Sequence, residues 1–325
     1  MNNAGRLTDQ LNLDEYGNVG SYFVLYFDVQ GVRDQVFRDV DPKSGTVTAE
    51  KQLEINEFST ALRDLFASFA QIGYFITERR DEYLNYLTQG MALSENERAS
   101  LFEDIKNIHI GAQQFSDSTL IYVRDTGSIS RVVFEQCMAR CAYEIVKVMG
   151  RGVYVRGAMS YGTGWELMPN CLFGPIIQEV YDIEQKIANT FRIVVTPAFW
   201  REASKDLGEL KSNGLDVSKP HPFKMIARDP DGVLIFDYLS CDALENMKSF
   251  DGSALKIAGE SVEKAYNRIV LRHKELLGSV DKDQTKSRLV VKYAMFMSYL
   301  ESRFKNFAPY GARFIKDGQM GKGKK

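Results

Sequence analysis

Cysteine is scarce, with four in 325 residues, and this excludes a disulfide scaffold. Cys137 and Cys141 stand four apart in an apolar periodic segment and read as core thiols on one helix face, kept reduced as in the cytosol. Histidine is scarcer still. His109, His221 and His273 are far apart and lack the ligand spacing of a zinc site. No stretch approaches the roughly 18 apolar residues of a membrane helix, and the start MNNAGRLTDQLNLDEYGNVG has neither the basic nor the apolar part of a secretory signal. The expectation is a soluble, cytoplasmic protein without a membrane partner. Charge of one sign is missing too: 41 Lys and Arg stand against 43 Asp and Glu, a formal net charge of −2, which argues against a broad nucleic-acid surface. The chain has no G-x-x-x-x-G-K-[ST] phosphate loop and no G-x-G-x-x-G after a strand; Gly162 and Gly164 read as a hairpin turn instead. No Ser-His-Asp arrangement stands out.

What is there is a globular composition, 44% hydrophobic and 26% charged, long enough to bury a full core without a covalent staple. Residues 1–20 are polar and read as a loose arm. YFVLYFDV, Tyr22 to Val29, is a near-continuous apolar run of strand length, the pattern of a strand buried on both faces. GVRDQVFRDV suggests a short helix and DPKSG a turn. Ile55, Phe58, Leu62, Leu65, Phe66, Phe69 and Ile72 recur at spacings of three and four, predicting a helix over about 50–75, with weaker helical character through ERRDEYLNYL. Ser94 and Glu97 form a capping-box pattern before a further helix.

IHIGAQQFSDSTLIYVRD predicts two strands meeting at a tight turn around Ser116 and Asp117. A helix follows from about Val132 to Gly150. VYVRGAMSYGTG reads as a strand entering a Gly-rich turn, FGPIIQEVYDIEQKIANT as a helix opened by Gly174-Pro175, and RIVVTP as a short buried strand. Residues 201–220 read as a polar loop, FKMIARDPDGVLIFDYL as a hairpin around Asp231-Gly232, and 241–308 as helical. The tail ending GKGKK is basic and Gly-rich. The order predicts an α/β (α+β) chain, a mixed sheet flanked by helices with a C-terminal helical extension.

Two aspartates stand in unusual settings. Asp28 closes an intensely apolar strand, and Asp117 sits in FSDS between two strand patterns. Both are strand ends, the common place for chemistry in α/β sheets. If the two strands are neighbours, the carboxylates could grip one or two divalent cations, and hard oxygen ligands with substrate phosphates suit Mg²⁺ or Mn²⁺. Plainer readings exist: Asp28 could cap the following helix, and Asp117 could be a turn residue.

FDVQGV resembles the F-x-D-[IV]-x-G-[FV] strand of class III nucleotidyl cyclases. FSDSTLIY resembles their second metal hairpin, VYVRGAMSYG their V-R-I-G-I-H-x-G strand, FGPIIQEVYDIEQKIA the helix G-x-x-V-N-x-A-x-R-x-E, and RIVVTP the strand after it. The set holds in order over roughly residues 20–200. The chain is most similar to the divergent bacterial branch that includes the Pycsar antiphage pyrimidine cyclases. The resemblance implies a cyclase-like domain over 21–240 with a helical insertion at about 48–107; periodicity and composition put a helical region at 241–310 and a basic tail at 311–325 after it.

It also implies a site. Asp28, Asp117 and the Val29 carbonyl would hold two divalent ions, Mn²⁺ or Mg²⁺. Backbone amides over Gln30, Gly31, Val32 and Arg33 would cradle phosphates, with Arg33 a candidate phosphate partner or else a solvated helix charge. Gln113 and Cys171 fall on the base-reading positions, and a neutral Gln can donate to and accept from a pyrimidine edge; the plainer readings are a surface Gln and a buried thiol. The family's transition-state Asn and Arg fall on Gln178 and Asp182. An acid cannot replace a cation there, and Arg156 or Arg131 are possible substitutes. The implied reaction turns UTP or CTP into its 3′,5′-cyclic monophosphate and pyrophosphate. The implied state is a homodimer with sites at the interface, the product acting on a separate effector in antiviral defence. The alternatives are a catalytically degenerate nucleotide-binding module, a metal-dependent phosphohydrolase using the same carboxylates, and a scaffold with a vestigial site.

Overall fold

The computed structural model describes residues 19–30, 47–74, 94–188, 190–212, 222–248, 252–278, 284–310 and 312. The expectations for Gly31, Val32 and Arg33, for the short helix after them, for ERRDEYLNYL, and for most of the arm and tail lie outside these residues.

The described strands are β1 (Val19–Gln30), β2 (Ile110–Phe115), β3 (Ser118–Arg124), β4 (Tyr154–Met168), β5 (Cys171–Phe173), β6 (Ile193–Val195), β7 (Ile226–Arg228) and β8 (Leu234–Phe236). The described helices are α1 (Ala49–Ala70), α2 (Glu95–Lys106), α3 (Ser128–Met149), α4 (Pro175–Lys186), α5 (Pro197–Ser212), α6 (Cys241–Lys248), α7 (Ala254–Leu277) and α8 (Gln284–Phe307). All eight strands form one sheet in the order β2-β3-β1-β4-β6-β8-β7, with β5 paired to β4. β1 is antiparallel to both β3 and β4, whereas β4 and β6 are parallel. The sheet is therefore mixed, and its first four strands with the intervening helices have the split β-α-β order.

β1 reads as an unbroken apolar run because both its faces are covered. Phe23, Leu25, Phe27 and Val29 pack with the buried faces of α1 and α3 in the larger core. Tyr22, Val24 and Tyr26 pack with Leu120, Tyr122, Ala158 and, from β5 and α4, Leu172, Ile176 and Val180. α1 presents Phe58, Ala61, Leu65 and Phe69 as one buried stripe, and its first turn is capped by the Thr48 hydroxyl, which accepts from the Lys51 amide at 3.2 Å. The larger core runs without a break into α7 and α8, through Val262, Ile269, Phe296, Leu300 and Phe307. No described helix is long and apolar enough to cross a membrane.

Two elements differ from expectation. Gly162 and Gly164 lie inside β4 rather than in a turn. A Cβ on Gly164 would stand 2.9 Å from the Phe173 carbonyl oxygen and 3.2 Å from Ile176 Cγ2, so the glycine serves the close approach of β5 and α4 to β4. The chain over 201–212 is helical, as part of α5. Thr196 caps that helix, its hydroxyl accepting from the Phe199 amide at 3.0 Å, and Phe199 and Ala203, one turn apart, are buried.

Candidate metal and phosphate site at the end of the first strand

The sheet register places Asp28 directly opposite Ser118 on β3 and Arg156 on β4. Ser118 is the first residue after the β2–β3 turn, so Asp117 sits beside the same strand end. The Val29 amide donates to the Asp117 carbonyl at 3.1 Å. The backbones of the two aspartates are thus one hydrogen bond apart, although eighty-nine positions separate them in the chain. The turn itself has two residues, Ser116 and Asp117, between the paired Phe115 and Ser118. Ser116 adopts φ of 51°, a left-handed conformation that costs a non-glycine residue about 1 kcal/mol.

Asp28 shares a sheet face with Tyr26, Ser118 and Arg156. Its Oδ1 accepts from the Ser118 hydroxyl at 3.1 Å. Its Oδ2 accepts from Gln30 Nε2 at 3.1 Å and from Arg156 Nε at 3.0 Å. Burial beside this group pushes the Tyr26 phenol up to about 12, against a lowering hydrogen bond with Ser118 and with Asp28 adding to the rise. Arg156 also pairs with the carboxylate of Glu184, which has no exposed surface. Burial raises the Glu184 carboxyl above the ordinary glutamate value, Arg156 opposing and Asp28 adding to the shift. Glu184 completes the inward stripe Ile176, Val180, Glu184 of α4.

A carboxylate offers about four acceptor positions, and three on Asp28 are taken by the protein. One remains on Oδ1. Among the described residues no donor is recorded on the Asp117 carboxylate, which lies on the partly exposed turn. Nor is any group of three or more His, Cys, Asp or Glu among them arranged to hold a metal ion. A divalent cation here would rest on the free Asp28 position, Asp117, the Val29 carbonyl and oxygens of the ligand. A second ion would require Gln30 or Arg156 to release Oδ2. The donor set, all hard oxygen, fits Mg²⁺ or Mn²⁺.

The remaining sequence candidates divide. Gln113 and Cys171, fifty-eight positions apart, meet: Gln113 Nε2 points at Cys171 Sγ at 3.9 Å, and Gln113 Oε1 accepts from the Leu172 amide at 3.0 Å. Gln178 and Asp182 face outward on α4, Gln178 Nε2 and Lys186 Nζ each donating to Asp182 at 3.0 Å. That holds the Asp182 carboxyl below the usual range, Lys186 being the larger cause. Arg131 is displaced from the site. It lies at the start of α3, just beyond the Arg124 end of β3, and pairs with Glu202 at 3.5 Å. Six residues of strand, about 20 Å, separate that end from Asp28. Cys137 and Cys141 are buried in the core, and burial pushes both thiols well up; they are unreactive.

Ser118 and Glu184 belong to the site and were not singled out from the sequence. An acid on the otherwise apolar stripe of α4 was the available signal for Glu184; nothing marks Ser118 except its place beside Asp117. Comparison with protein-family models, curated proteins and solved structures finds no match.

Proposed function

We propose that the chain is a nucleotidyl cyclase that converts a pyrimidine nucleoside triphosphate, UTP or CTP, into its 3′,5′-cyclic monophosphate. The observation that carries this reading is the hydrogen bond that brings Asp117 beside β1 at Asp28. Two further observations support it. The aligned base-reading positions, Gln113 and Cys171, are in contact. The arginine of the V-R-I-G-like strand and the glutamate of the R-x-E-like helix, Arg156 and Glu184, form a buried pair.

In the reaction the ribose 3′-hydroxyl gives its proton to solvent, its oxygen forms a bond to the α-phosphorus, the α–β phosphoanhydride bond breaks, and pyrophosphate leaves with the bridging oxygen. Asp28, Asp117 and the Val29 carbonyl would hold the divalent ions. When bound, these ions neutralise phosphate charge and lower the pKa of the attacking hydroxyl. Arg156 stands beside them as a cation for the phosphates, and Ser118 and Gln30 fix the Asp28 carboxylate. Gln113 keeps one amide hydrogen and one lone pair for a base edge. In a homodimer the Gln113–Cys171 surface of one copy would face the aspartates of the other. Exposed Phe115, Leu167, Met168 and Phe173, at 41–53% of full exposure around that surface, suit such burial. By the same resemblance, the cyclic product acts on a separate effector in antiviral defence.

The test is incubation of the purified protein with each labelled NTP and Mn²⁺. Cyclic product from UTP or CTP supports the reading. The second reading, a nucleotide-binding module without turnover, is favoured by the acid at Asp182 and by the ties of Arg156 to two carboxylates. It predicts nucleotide binding and no cyclic product. Release of free phosphate would indicate a phosphohydrolase.

A further inference from the structure

α8 is the last described α-helix, and it reaches the same end of the sheet. Its Phe296 ring packs edge-on against Tyr154 at 5.5 Å and tilted against Phe191 at 4.9 Å, and Tyr293 packs on Phe191 at 5.3 Å. Tyr154 opens β4 and stands two residues before Arg156. The register with β1 is unbroken between them, so both side chains leave the same sheet face. On α8, Arg288, Lys292 and Phe296 are spaced four apart and form one stripe. Lys292 stands one turn before Phe296, and Arg156 two residues beyond Tyr154, so the docked ring pair sets Lys292 near the Arg156 end of the Asp28–Arg156–Glu184 cluster.

The electrostatics of Lys292 agree. Burial lowers its pKa, and the charges acting on it come from three other elements: Arg156 on β4, Glu184 on α4 and Asp28 on β1, with Arg288 from its own helix. Burial, Arg156 and Arg288 disfavour the ammonium, and Glu184 and Asp28 favour it. Costly charges are characteristic of ligand sites. Among the described residues the cluster has one other cation, Arg156, already shared by Asp28 and Glu184, while α4 presents an acid at Asp182 where the resemblance calls for an arginine.

We propose that Lys292, supported by Arg288, is the polyphosphate-binding cation of this site, so that the C-terminal helix forms part of the substrate pocket. The proposal rests on the nucleotide reading of the Asp28 site and names a residue of this chain outside the 20–200 region that carries the resemblance. Lys292 would bind the terminal phosphates and stabilise the charge that develops on pyrophosphate as it leaves. It holds the ligand and takes no proton.

The test uses the full-length protein and inorganic tripolyphosphate, without turnover. Binding is measured by calorimetry in 5 mM Mg²⁺ and again in EDTA, for wild type, Lys292→Met and Lys292→Arg. The expected result is a loss of about tenfold or more in tripolyphosphate affinity for Lys292→Met, restoration by Lys292→Arg, and an unchanged or raised thermal midpoint. Orthophosphate should show a smaller loss than tripolyphosphate. Equal affinity of wild type and Lys292→Met would overturn the proposal, as would absence of binding to wild type. If Lys292→Met unfolds, Lys292→Gln and Arg288→Ala carry the same comparison, and unchanged affinity in both would be equally decisive. The outcome is separable from that of the cyclase reading. Lys292-dependent tripolyphosphate binding without cyclic product sinks only the cyclase. Cyclic product with Lys292-independent binding sinks only the role of Lys292.

Discussion

Asp28 and Asp117 stand side by side, yet their surroundings set different consequences for losing them. Asp28 accepts from Ser118, Gln30 and Arg156, and its removal takes that acceptor from Ser118 and Gln30 in a largely buried place and leaves Arg156 with Glu184 alone. Asp28→Ala should lose turnover and also about 1–3 kcal/mol of stability, read as a lowered urea midpoint. Asp117→Ala should lose turnover with less than about 0.5 kcal/mol of destabilisation, because its carboxylate lies on a partly exposed turn. Equal stability losses would show that the Asp28 contacts are not formed in solution. At this scale the sequence was legible where a residue contradicts its context: an acid ending an apolar strand, an acid between two strands. It was silent on Arg156 as a partner of Asp28, because cross-strand neighbours are set by register. Ser118 gives no compositional signal.

At the scale of elements, the β4–β5 hairpin is fastened to β2 and β3 through one buried acid. Glu166 accepts from the Tyr122 hydroxyl at 2.5 Å and the Asn170 amide at 2.8 Å, and His109 Nε2 lies 2.6 Å from its other oxygen. Asn170 in turn accepts from the Ala112 amide at 3.0 Å. Burial pushes the Glu166 carboxyl up, but its bonds with His109, Tyr122 and Asn170 outweigh that and hold it below the ordinary value of 4.5. A depressed folded-state value means that the stabilisation is present above pH 4.5 and is lost as pH falls through the folded value. The wild-type urea midpoint should therefore drop between pH 6 and pH 3. Glu166→Gln should cost about 1–3 kcal/mol of stability at pH 7, read as a lowered urea midpoint, and flatten that part of the profile. A variant as acid-sensitive as wild type would assign the loss to other carboxylates.

Elements were legible where periodicity was strong, as in α1, α3 and β1, and where a turn carried its own chemistry, as at Asp231-Gly232 between β7 and β8. They were misread where a local signal had a tertiary cause. The glycines of β4 answer to the packing of α4. The polar stretch after residue 200 folds as a helix because Phe199 and Ala203 suffice to dock it.

For the whole molecule, the C-terminal helices share the core of the sheet. α8 is anchored by Asp237, buried just beyond β8, which accepts from Arg303 Nε and Nη2 at 2.8 and 2.5 Å and from the Tyr299 hydroxyl at 2.7 Å. Arg303→Ala would leave that carboxylate short of its cation, at about 3 kcal/mol. It should lower the urea midpoint, and it should weaken tripolyphosphate binding if docking of α8 is what positions Lys292. A stable variant with full affinity would separate the helix from the site. The sequence identified these segments as helices but not their destination, since the contacts of α8 with Tyr154, Phe191 and Asp237 join residues more than sixty positions apart.

The most direct measurement of the central claim, that Asp28 and Asp117 jointly hold the metal ions that turn over a nucleoside triphosphate, is cyclic-nucleotide formation by wild type and by Asp117→Asn. Both proteins are incubated with UTP and CTP in Mn²⁺, and products are separated by chromatography. Cyclic product and equimolar pyrophosphate from wild type, with at least a hundredfold loss in Asp117→Asn, is the predicted result. Wild-type activity in Asp117→Asn, or no cyclic product from wild type with any of the four NTPs, would contradict it.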